Sequence, residues 1–198
     1  SHWALLCALD FWRDGDHYRT AQTKRRWDPR PQRPAAGGRV GILGIGAIGS
    51  VIARRFAALG FAVRGYARTQ KSIDGIEMFL GADQLNAFAE DLQIVVSVLP
   101  LTPDTTGIID ARFLKRMTPG AFVINGGRGP QIVDDDLLAA LDSGQVGGAA
   151  LDVFATEPLP QTHWYWTHPN VRVWPHVAAQ TNAETAADQV AAAIDSIM

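Results

Sequence analysis

A glycine-rich turn between an apolar segment and an amphipathic segment constrains the fold of this chain more than any other feature. Arg39–Leu43 is a short apolar run, and Gly44, Gly46 and Gly49 follow it at the spacing Gly-x-Gly-x-x-Gly. The next segment, Ala47–Leu59, places its apolar side chains on one helical stripe. In such a strand–turn–helix unit the first glycine permits the tight turn, the second lets the backbone approach a pyrophosphate, and the third lets helix and strand pack closely. The pattern predicts a dinucleotide site, with a plain tight turn as the alternative.

Segments typical of strands and of helices alternate along the rest of the chain. The further predicted strands are short and apolar: Ala62–Tyr66, Ile94–Leu99, Ala121–Asn125, Gly148–Asp152 and Val171–Trp174. The further predicted helices are Ala82–Ala89, Ala111–Met117, Asp135–Ser143 and a closing helix that begins at Asn182. Strict alternation predicts an α/β fold of the Rossmann type, a doubly wound parallel sheet with helices on both faces.

Composition excludes several classes of partner. The 198 residues carry 18 Lys and Arg against 20 Asp and Glu, so the net charge of −2 argues against nucleic acid or an anionic membrane as the main partner. We expect no transmembrane segment, because no apolar run reaches the ~18 residues that a membrane span requires. The one cysteine, Cys7, cannot form an internal disulfide, and no metal-ligand spacing is present. These features predict a cytoplasmic protein without a metal site.

The first 34 residues differ from the remainder in charge. They carry seven basic and four acidic side chains, together with three of the six tryptophans and a cluster of prolines. We predict a helix over residues 2–13 and a polar arm over residues 24–36, since proline at that density prevents a regular helix. The arm is either a contact with a partner subunit or a solvated basic linker.

The second predicted strand leads into a basic loop. A dinucleotide site for NAD usually has an acidic residue about 20 residues after the glycine turn, to bind the ribose 2′-hydroxyl. Residues 62–73 contain no acid, and Arg68, Thr69 and Lys71 stand there instead. Cations and hydroxyls suit a 2′-phosphate, so we predict NADP(H), with NAD(H) possible. The alternative is that these are ordinary solvated loop charges.

Three polar side chains follow later strands. Arg128 comes after the strand that ends at Asn125, Asp152 closes the next strand, and His176 follows the last one. Because the carboxyl ends of parallel strands share one edge, we expect these residues to converge near the glycine turn. Histidine serves as an acid or base, a carboxylate fixes its tautomer, and arginine binds a carboxylate substrate. The alternatives are a structural histidine, a surface arginine and an aspartate that caps a turn.

Several longer motifs resemble a known family. They are Leu99–Pro103, Thr118–Ala121 with the following Asn125–Gly129, Asp134–Gly144, Leu151–Pro160 and Pro175–Ala179. In this order they resemble the nucleotide-binding part of the D-isomer-specific 2-hydroxyacid dehydrogenases over nearly the whole chain. The loop Arg68–Ser72 and the turn Pro175–Ala179 look most like the NADPH-preferring glyoxylate/hydroxypyruvate reductases.

The resemblance implies a role for each matching residue. His176 would protonate the substrate carbonyl, Glu157 would hydrogen-bond His176 and keep it protonated, and Arg128 would bind the substrate. Asp152 would hold the nicotinamide end of the cofactor and Ala47 with Ile48 the pyrophosphate. The further residues implied in cofactor binding are Leu99, Pro100 and Gly126. The chain departs from the family at Gly127, where alanine or serine is usual, and a glycine there adds backbone freedom beside Arg128.

The resemblance also implies a domain arrangement. Residues 1–36 would be a crossing helix and a dimerisation arm, residues 37–180 the dinucleotide-binding domain, and residues 181–198 a helix that returns to a substrate domain largely absent from this chain. The implied function is hydride transfer from NADPH to a small 2-oxo acid by a homodimer, with roughly another hundred residues before Ser1. A non-catalytic dinucleotide-binding module and a related dehydrogenase with another substrate are the alternatives. We expect this chain alone to bind cofactor but to turn over substrate poorly.

Overall fold

The computed structural model describes residues 1–69 and 71–179, which form six α-helices, four short 3-10 helices and seven strands. The strands are β1 (Arg39–Leu43), β2 (Ala62–Ala67), β3 (Glu77–Leu80), β4 (Ile94–Ser97), β5 (Ala121–Asn125), β6 (Val146–Leu151) and β7 (Val171–Val173). The α-helices are α1 (His2–Trp12), α2 (Gly15–Thr23), α3 (Ala47–Ala58), α4 (Leu85–Ala89), α5 (Ala111–Arg116) and α6 (Asp134–Asp142). The predicted closing helix from Asn182 and the segment 181–198 lie outside the described residues.

All strands pair in parallel in one sheet, in the order β3-β2-β1-β4-β5-β6-β7. The strand order reverses at β1, which pairs with β2 on one side and with β4 on the other. The register places the last residues of neighbouring strands side by side: Leu43 is opposite Ser97, and Ser97 is opposite Asn125. Loops that leave the carboxyl ends of β1, β4, β5 and β6 therefore begin at one edge, where a crevice forms at the reversal point.

Helices cover both faces of the sheet. Successive residues of a central strand point into two separate cores, one on each face of the sheet. In β5, Phe122 and Ile124 belong to the first core and Val123 belongs to the second. The first core also contains buried side chains of α1 and α3, and the second contains those of α4, α5 and α6. This arrangement confirms the predicted doubly wound α/β fold.

Sequence periodicity found most of these elements but missed two. The edge strand β3 was not predicted, because its half-buried residues Glu77–Leu80 pair only with β2 and carry no long apolar run. Helix α2 was also missed, since it is polar and buries a single residue, Ala21. Its position depends on charges distant in sequence. Arg19 of α2 pairs with Asp10 of α1 at 2.7 Å, and Arg172 of β7 pairs with Asp16 of α2.

The predicted arm has neither helix nor strand over residues 26–34. It is attached to α1 through Trp12, whose Nε1 donates to the Arg33 carbonyl oxygen at 3.2 Å and whose ring lies 4.5 Å from the Arg33 guanidinium carbon. Trp27, within the same segment, is 98% exposed. The arm thus packs on the domain at one end and presents a large aromatic side chain to solvent. Among the described helices, none combines the length and hydropathy that a membrane crossing needs.

Candidate active site

The glycine turn packs closely against two strand ends. Gly44 has φ of +102°, and a Cβ there would lie 3.1 Å from the Leu99 nitrogen and from the Val98 carbonyl oxygen. A Cβ on Gly49 would lie 1.9 Å from the Gly44 carbonyl oxygen. Only glycine at these two positions lets α3 begin this close to β1 and β4.

Gly46 has different surroundings. Apart from Gly46 and its two chain neighbours, the described residues place no heavy atom within 4 Å of the position that its Cβ would take, and Gly46, Ala47 and Ile48 are exposed. They form the beginning of the twelve-residue helix α3, whose first N–H groups have no partner within the helix. Open space in front of free N–H groups and a positive dipole end suits a pyrophosphate. The turn therefore fits the dinucleotide that its spacing predicts.

A cleft of about 520 Å³ extends from this turn along the carboxyl edge of the sheet. Its lining includes Ile48, Leu99, Pro100, Gly126 and Arg128, all predicted site residues. Sequence reasoning missed one wall, which Trp3 of α1 forms. Its ring comes within 3.1 Å of the Cβ position of Gly126, and its buried Nε1 has no hydrogen-bond partner in the part of the chain that the structure describes.

The basic loop lies at the other side of the turn. Arg68 and Thr69 follow β2 and are exposed, and Lys71 Nζ donates to the Ile45 carbonyl oxygen at 2.5 Å. Lys71 therefore lies across the glycine turn. The three residues are separated from His176 by the width of β1, β4, β5 and β6, so they belong to the end of the crevice opposite the histidine.

Asp152 joins the last two strands at the site. Its carboxylate is buried, with 1% exposed, and accepts hydrogen bonds from the Val177 nitrogen at 2.8 Å and the Ala178 nitrogen at 2.9 Å. Its carbonyl oxygen accepts from the His176 nitrogen at 2.9 Å. Asp152 thus fixes the loop after β7, in line with the alternative of an aspartate that caps a turn. Each carboxylate oxygen of Asp152 keeps a second lone pair that can accept a further hydrogen bond. The contact of Asp152 with the nicotinamide end of the cofactor stays a prediction.

His176 and Glu157 form a hydrogen-bonded pair. Nδ1 of His176 lies 2.7 Å from Oε2 of Glu157, and Oε1 of Glu157 accepts from the Phe154 nitrogen at 2.9 Å. The hydrogen bond from His176 is the largest cause that holds the pKa of Glu157 below its ordinary value, and the charge of Arg128 acts in the same direction. An ionised Glu157 makes Nδ1 the donor, which leaves Nε2 of the half-exposed imidazole for a substrate.

Arg128 is held by its own loop and by the end of β5. Its Nη1 donates to the Gly127 carbonyl oxygen at 2.7 Å, and its carbonyl oxygen accepts from Asn125 Nδ2 at 3.0 Å. Its backbone nitrogen donates to Gln131 Oε1 at 3.1 Å. Sequence reasoning missed the roles of the buried Asn125 and Gln131. The signal for Asn125 was its place at a strand end, whereas the sequence gives none for Gln131.

A second, apolar cleft of about 430 Å³ lies beside the pair on the side of Pro158, Trp166 and Val173. Within residues 1–69 and 71–179, no group of three or more His, Cys, Asp or Glu side chains is placed to hold a metal ion. The site thus consists of an anion-binding turn, an arginine and a histidine–carboxylate pair along one sheet edge. This fold and its glycine turn define a dinucleotide-binding domain.

The family follows from a comparison with known proteins. The model of the family "D-isomer specific 2-hydroxyacid dehydrogenase, NAD binding domain" matches residues 5–178. The chain belongs to this family. It is 43% identical over 192 residues to glyoxylate/hydroxypyruvate reductase A of Serratia proteamaculans, a match that covers 97% of this chain and 61% of the relative. The chain therefore spans about three fifths of the length of this relative.

Solved structures of D-isomer specific 2-hydroxyacid dehydrogenases and of a related reductase are also similar to this chain. A D-isomer specific 2-hydroxyacid dehydrogenase from Xanthobacter autotrophicus Py2, in complex with NADPH and MES, is 42% identical with a TM-score of 0.93, over 98% of this chain and 80% of that chain. An NADPH-dependent glyoxylate/hydroxypyruvate reductase from Sinorhizobium meliloti, in complex with NADP and sulfate, is 38% identical with a TM-score of 0.93, over 98% of this chain and 63% of that chain.

The glycine turn generates a prediction about stability. Gly49→Ala should lower the free energy of unfolding by roughly 1–3 kcal/mol, because the new methyl group would overlap the backbone of Gly44. Gly46→Ala, the matched control, should change it by less than about 0.5 kcal/mol, since the added methyl group meets open space. Urea unfolding of both variants measures the difference. Equal losses would show that the turn is not packed as described.

Proposed function

We propose that the full protein that contains this chain reduces a small 2-oxo acid of the glyoxylate or hydroxypyruvate type with NADPH and forms the 2-hydroxy acid. The observation that carries the proposal is the His176–Glu157 pair at 2.7 Å, on the same sheet edge as Arg128 and the glycine turn. A proton donor, a carboxylate-binding cation and a dinucleotide-binding turn together suit this reaction. The names of the Serratia and Sinorhizobium relatives agree with it.

The chain has residues for each part of the cofactor, whose nicotinamide supplies the hydride when it is bound. Gly46, Ala47 and Ile48 offer the backbone N–H groups of α3 to the pyrophosphate. Arg68 and Thr69, with Lys71, supply two cations and a hydroxyl to the 2′-phosphate at the end of β2, where no acid competes. Leu99, Pro100 and Gly126 line the cleft beyond the turn, towards Asp152.

His176 acts on the substrate carbonyl. As the carbonyl carbon gains a hydride, its oxygen gains negative charge and takes the proton from Nε2 of His176, which gives the hydroxyl group. Glu157 stabilises the positively charged imidazole and keeps its proton on Nδ1. Arg128 binds the substrate carboxylate through its planar guanidinium and adds positive charge beside the developing oxyanion.

Two alternatives use the same fold. A non-catalytic dinucleotide-binding module needs the turn and the arm but not Arg128, Glu157 and His176 together, so the presence of all three favours an enzyme. A related dehydrogenase could use another substrate or NAD(H), and the basic loop after β2 argues against NAD(H).

The oligomeric state is part of the proposal. Residues 1–36 and the nucleotide domain would form a homodimer contact, which the fully exposed Trp27 supports, because a large exposed aromatic side chain on a basic arm suits an interface. A substrate domain beyond this chain would complete the site, and the chain alone would bind cofactor but be poorly active. The cytoplasmic location expected from the single cysteine stays a prediction, as does the absence of nucleic-acid and membrane partners.

NADPH oxidation by the full gene product tests the proposed function. Glyoxylate and hydroxypyruvate should be reduced, with pyruvate and a sample without substrate as comparisons. His176→Ala should lower kcat roughly 10²- to 10⁴-fold, since it removes the proton donor, and leave the Kd for NADPH unchanged. His168→Ala is the matched control, because His168 also lies near a carboxylate, Asp142 at 3.5 Å, but outside the cleft. Binding of NADPH without turnover of any 2-oxo acid would support the binding module instead.

Cofactor selectivity gives a further prediction. Arg68→Ala should weaken NADPH binding about 10- to 100-fold, as expected for the loss of a charge-assisted contact with a phosphate, and leave NADH binding unchanged. Arg54→Ala removes an exposed cation of α3 as a control and should change neither affinity. Cofactor fluorescence measures both Kd values. Equal weakening of NADPH and NADH by Arg68→Ala would contradict the role at the 2′-phosphate.

A further inference from the structure

A single buried glutamine connects the loop that carries Arg128 to the end of β4. Gln131 is 0% exposed, and its amide makes four hydrogen bonds. Its Oε1 accepts from Ser97 Oγ at 2.9 Å and from the Arg128 nitrogen at 3.1 Å. Its Nε2 donates to the carbonyl oxygens of Leu99 at 2.9 Å and Pro100 at 3.3 Å. All donors and acceptors of this side chain are therefore used within the site.

Gly127 fits against this glutamine. A Cβ on Gly127 would lie 2.5 Å from Gln131 Oε1 and 2.9 Å from the Leu99 carbonyl oxygen. Alanine or serine, the residues expected here from the family resemblance, would displace an amide that four hydrogen bonds hold in place. Crowding, and not the backbone freedom expected from the sequence, therefore explains the glycine at this position.

Gln131 is the side chain that joins Arg128 to the end of β4 and the segment after it. Arg128 also contacts the Gly127 carbonyl oxygen within its own loop and Asn125 Nδ2 at the end of β5. Through Gln131, the Arg128 backbone is joined to Leu99 and Pro100, which line the same cleft. A shift of the glutamine would move the guanidinium relative to that wall, and displacements of about 1 Å at such sites cost much of the binding or rate.

We propose that Gln131 is the positioning residue that orients Arg128 towards the carboxylate of the 2-oxo acid, and that Gly127 is required because Gln131 occupies the adjoining space. The inference rests on the proposed function, since it concerns how the substrate carboxylate is held. It assigns no contact between Gln131 and the substrate or the cofactor.

Binding of oxamate, a 2-oxo acid analogue, to the NADPH complex of the full gene product tests the positioning role without turnover. Gln131→Met keeps the size of the side chain but loses the four hydrogen bonds. It should weaken oxamate binding roughly ten-fold, the effect of about one buried hydrogen bond, and change the Kd for NADPH less than about two-fold.

Gln145→Met is the matched control. Gln145 Nε2 also donates to two carbonyl oxygens, those of Leu114 at 3.0 Å and Met117 at 2.9 Å, but at the amino-terminal edge of the sheet. This variant should lower stability and leave oxamate affinity unchanged. If Gln131→Met weakens oxamate binding no more than Gln145→Met does, the positioning role is wrong.

A conservative variant adds a readout that a purely structural residue would not produce. In Gln131→Glu, a protonated carboxyl group can still donate a hydrogen bond to the carbonyl oxygen of Leu99 or of Pro100. An ionised carboxylate would be repelled by both of these carbonyl oxygens. Burial raises the pKa of such a carboxyl group, so oxamate binding should come nearest to that of the wild type at low pH and weaken as the pH rises. Dividing the oxamate Kd of Gln131→Glu by that of the wild type at each pH removes the pH dependence that the wild type itself shows. A ratio that does not change with pH would contradict the hydrogen bonds to Leu99 and Pro100.

The pairing of Gly127 with Gln131 has its own test, which needs no substrate. Urea unfolding of Gly127→Ala, Gln131→Ala and the double variant forms a cycle. The double variant should lose less stability than the two single losses together, because removal of the glutamine relieves the overlap. Additive losses would overturn the pairing. A wild-type NADPH complex that neither binds oxamate nor reduces any 2-oxo acid would instead overturn the proposed function.

Discussion

The hydrogen bonds of the buried Asp152 carboxylate are the interaction on which the geometry of the site depends. They fix the backbone of Val177 and Ala178 to the end of β6 and so hold the loop that presents His176. His176 has φ of +55°, a conformation that is uncommon for a residue other than glycine and that needs support from its surroundings. With the loop fixed in this way, Nδ1 of His176 meets Glu157, and its Nε2 is left for a substrate.

At other strand ends too, buried polar side chains hold the loops of the site. The buried side chains of Asn125, Gln131 and Asp152 bind backbone groups of loops that leave the sheet, and buried Ser97 donates to Gln131. The exposed Arg128 is carried on one of those loops. A nearly neutral chain carries exposed positive charge at this edge of the sheet, at Arg68 after β2 and at Arg128 after β5. The site is in this sense a property of the aligned carboxyl ends of a parallel sheet.

Local sequence patterns predicted the parts of the fold that are determined by residues close together in the sequence. The glycine turn, the central strands and the doubly wound sheet follow from spacing and hydrophobic periodicity. Arg128, Asp152 and His176 were predicted as candidate site residues because each closes or closely follows a predicted strand. Helix α2 and strand β3 were missed because distant ion pairs and edge pairing hold them. Gln131 was missed for a related reason, since its four partners lie in Arg128 and in a segment 31 to 34 residues away.

A crystal structure of the full gene product with NADPH and oxamate would test the central claim most directly, namely that Arg128 and the His176–Glu157 pair face one substrate at the carboxyl edge of the sheet. The account predicts the oxamate carboxylate against the Arg128 guanidinium and the oxamate carbonyl oxygen within hydrogen-bond distance of His176 Nε2. Oxamate bound elsewhere, such as in the apolar cleft beside Trp166, with Arg128 and His176 without contact to it, would contradict the account.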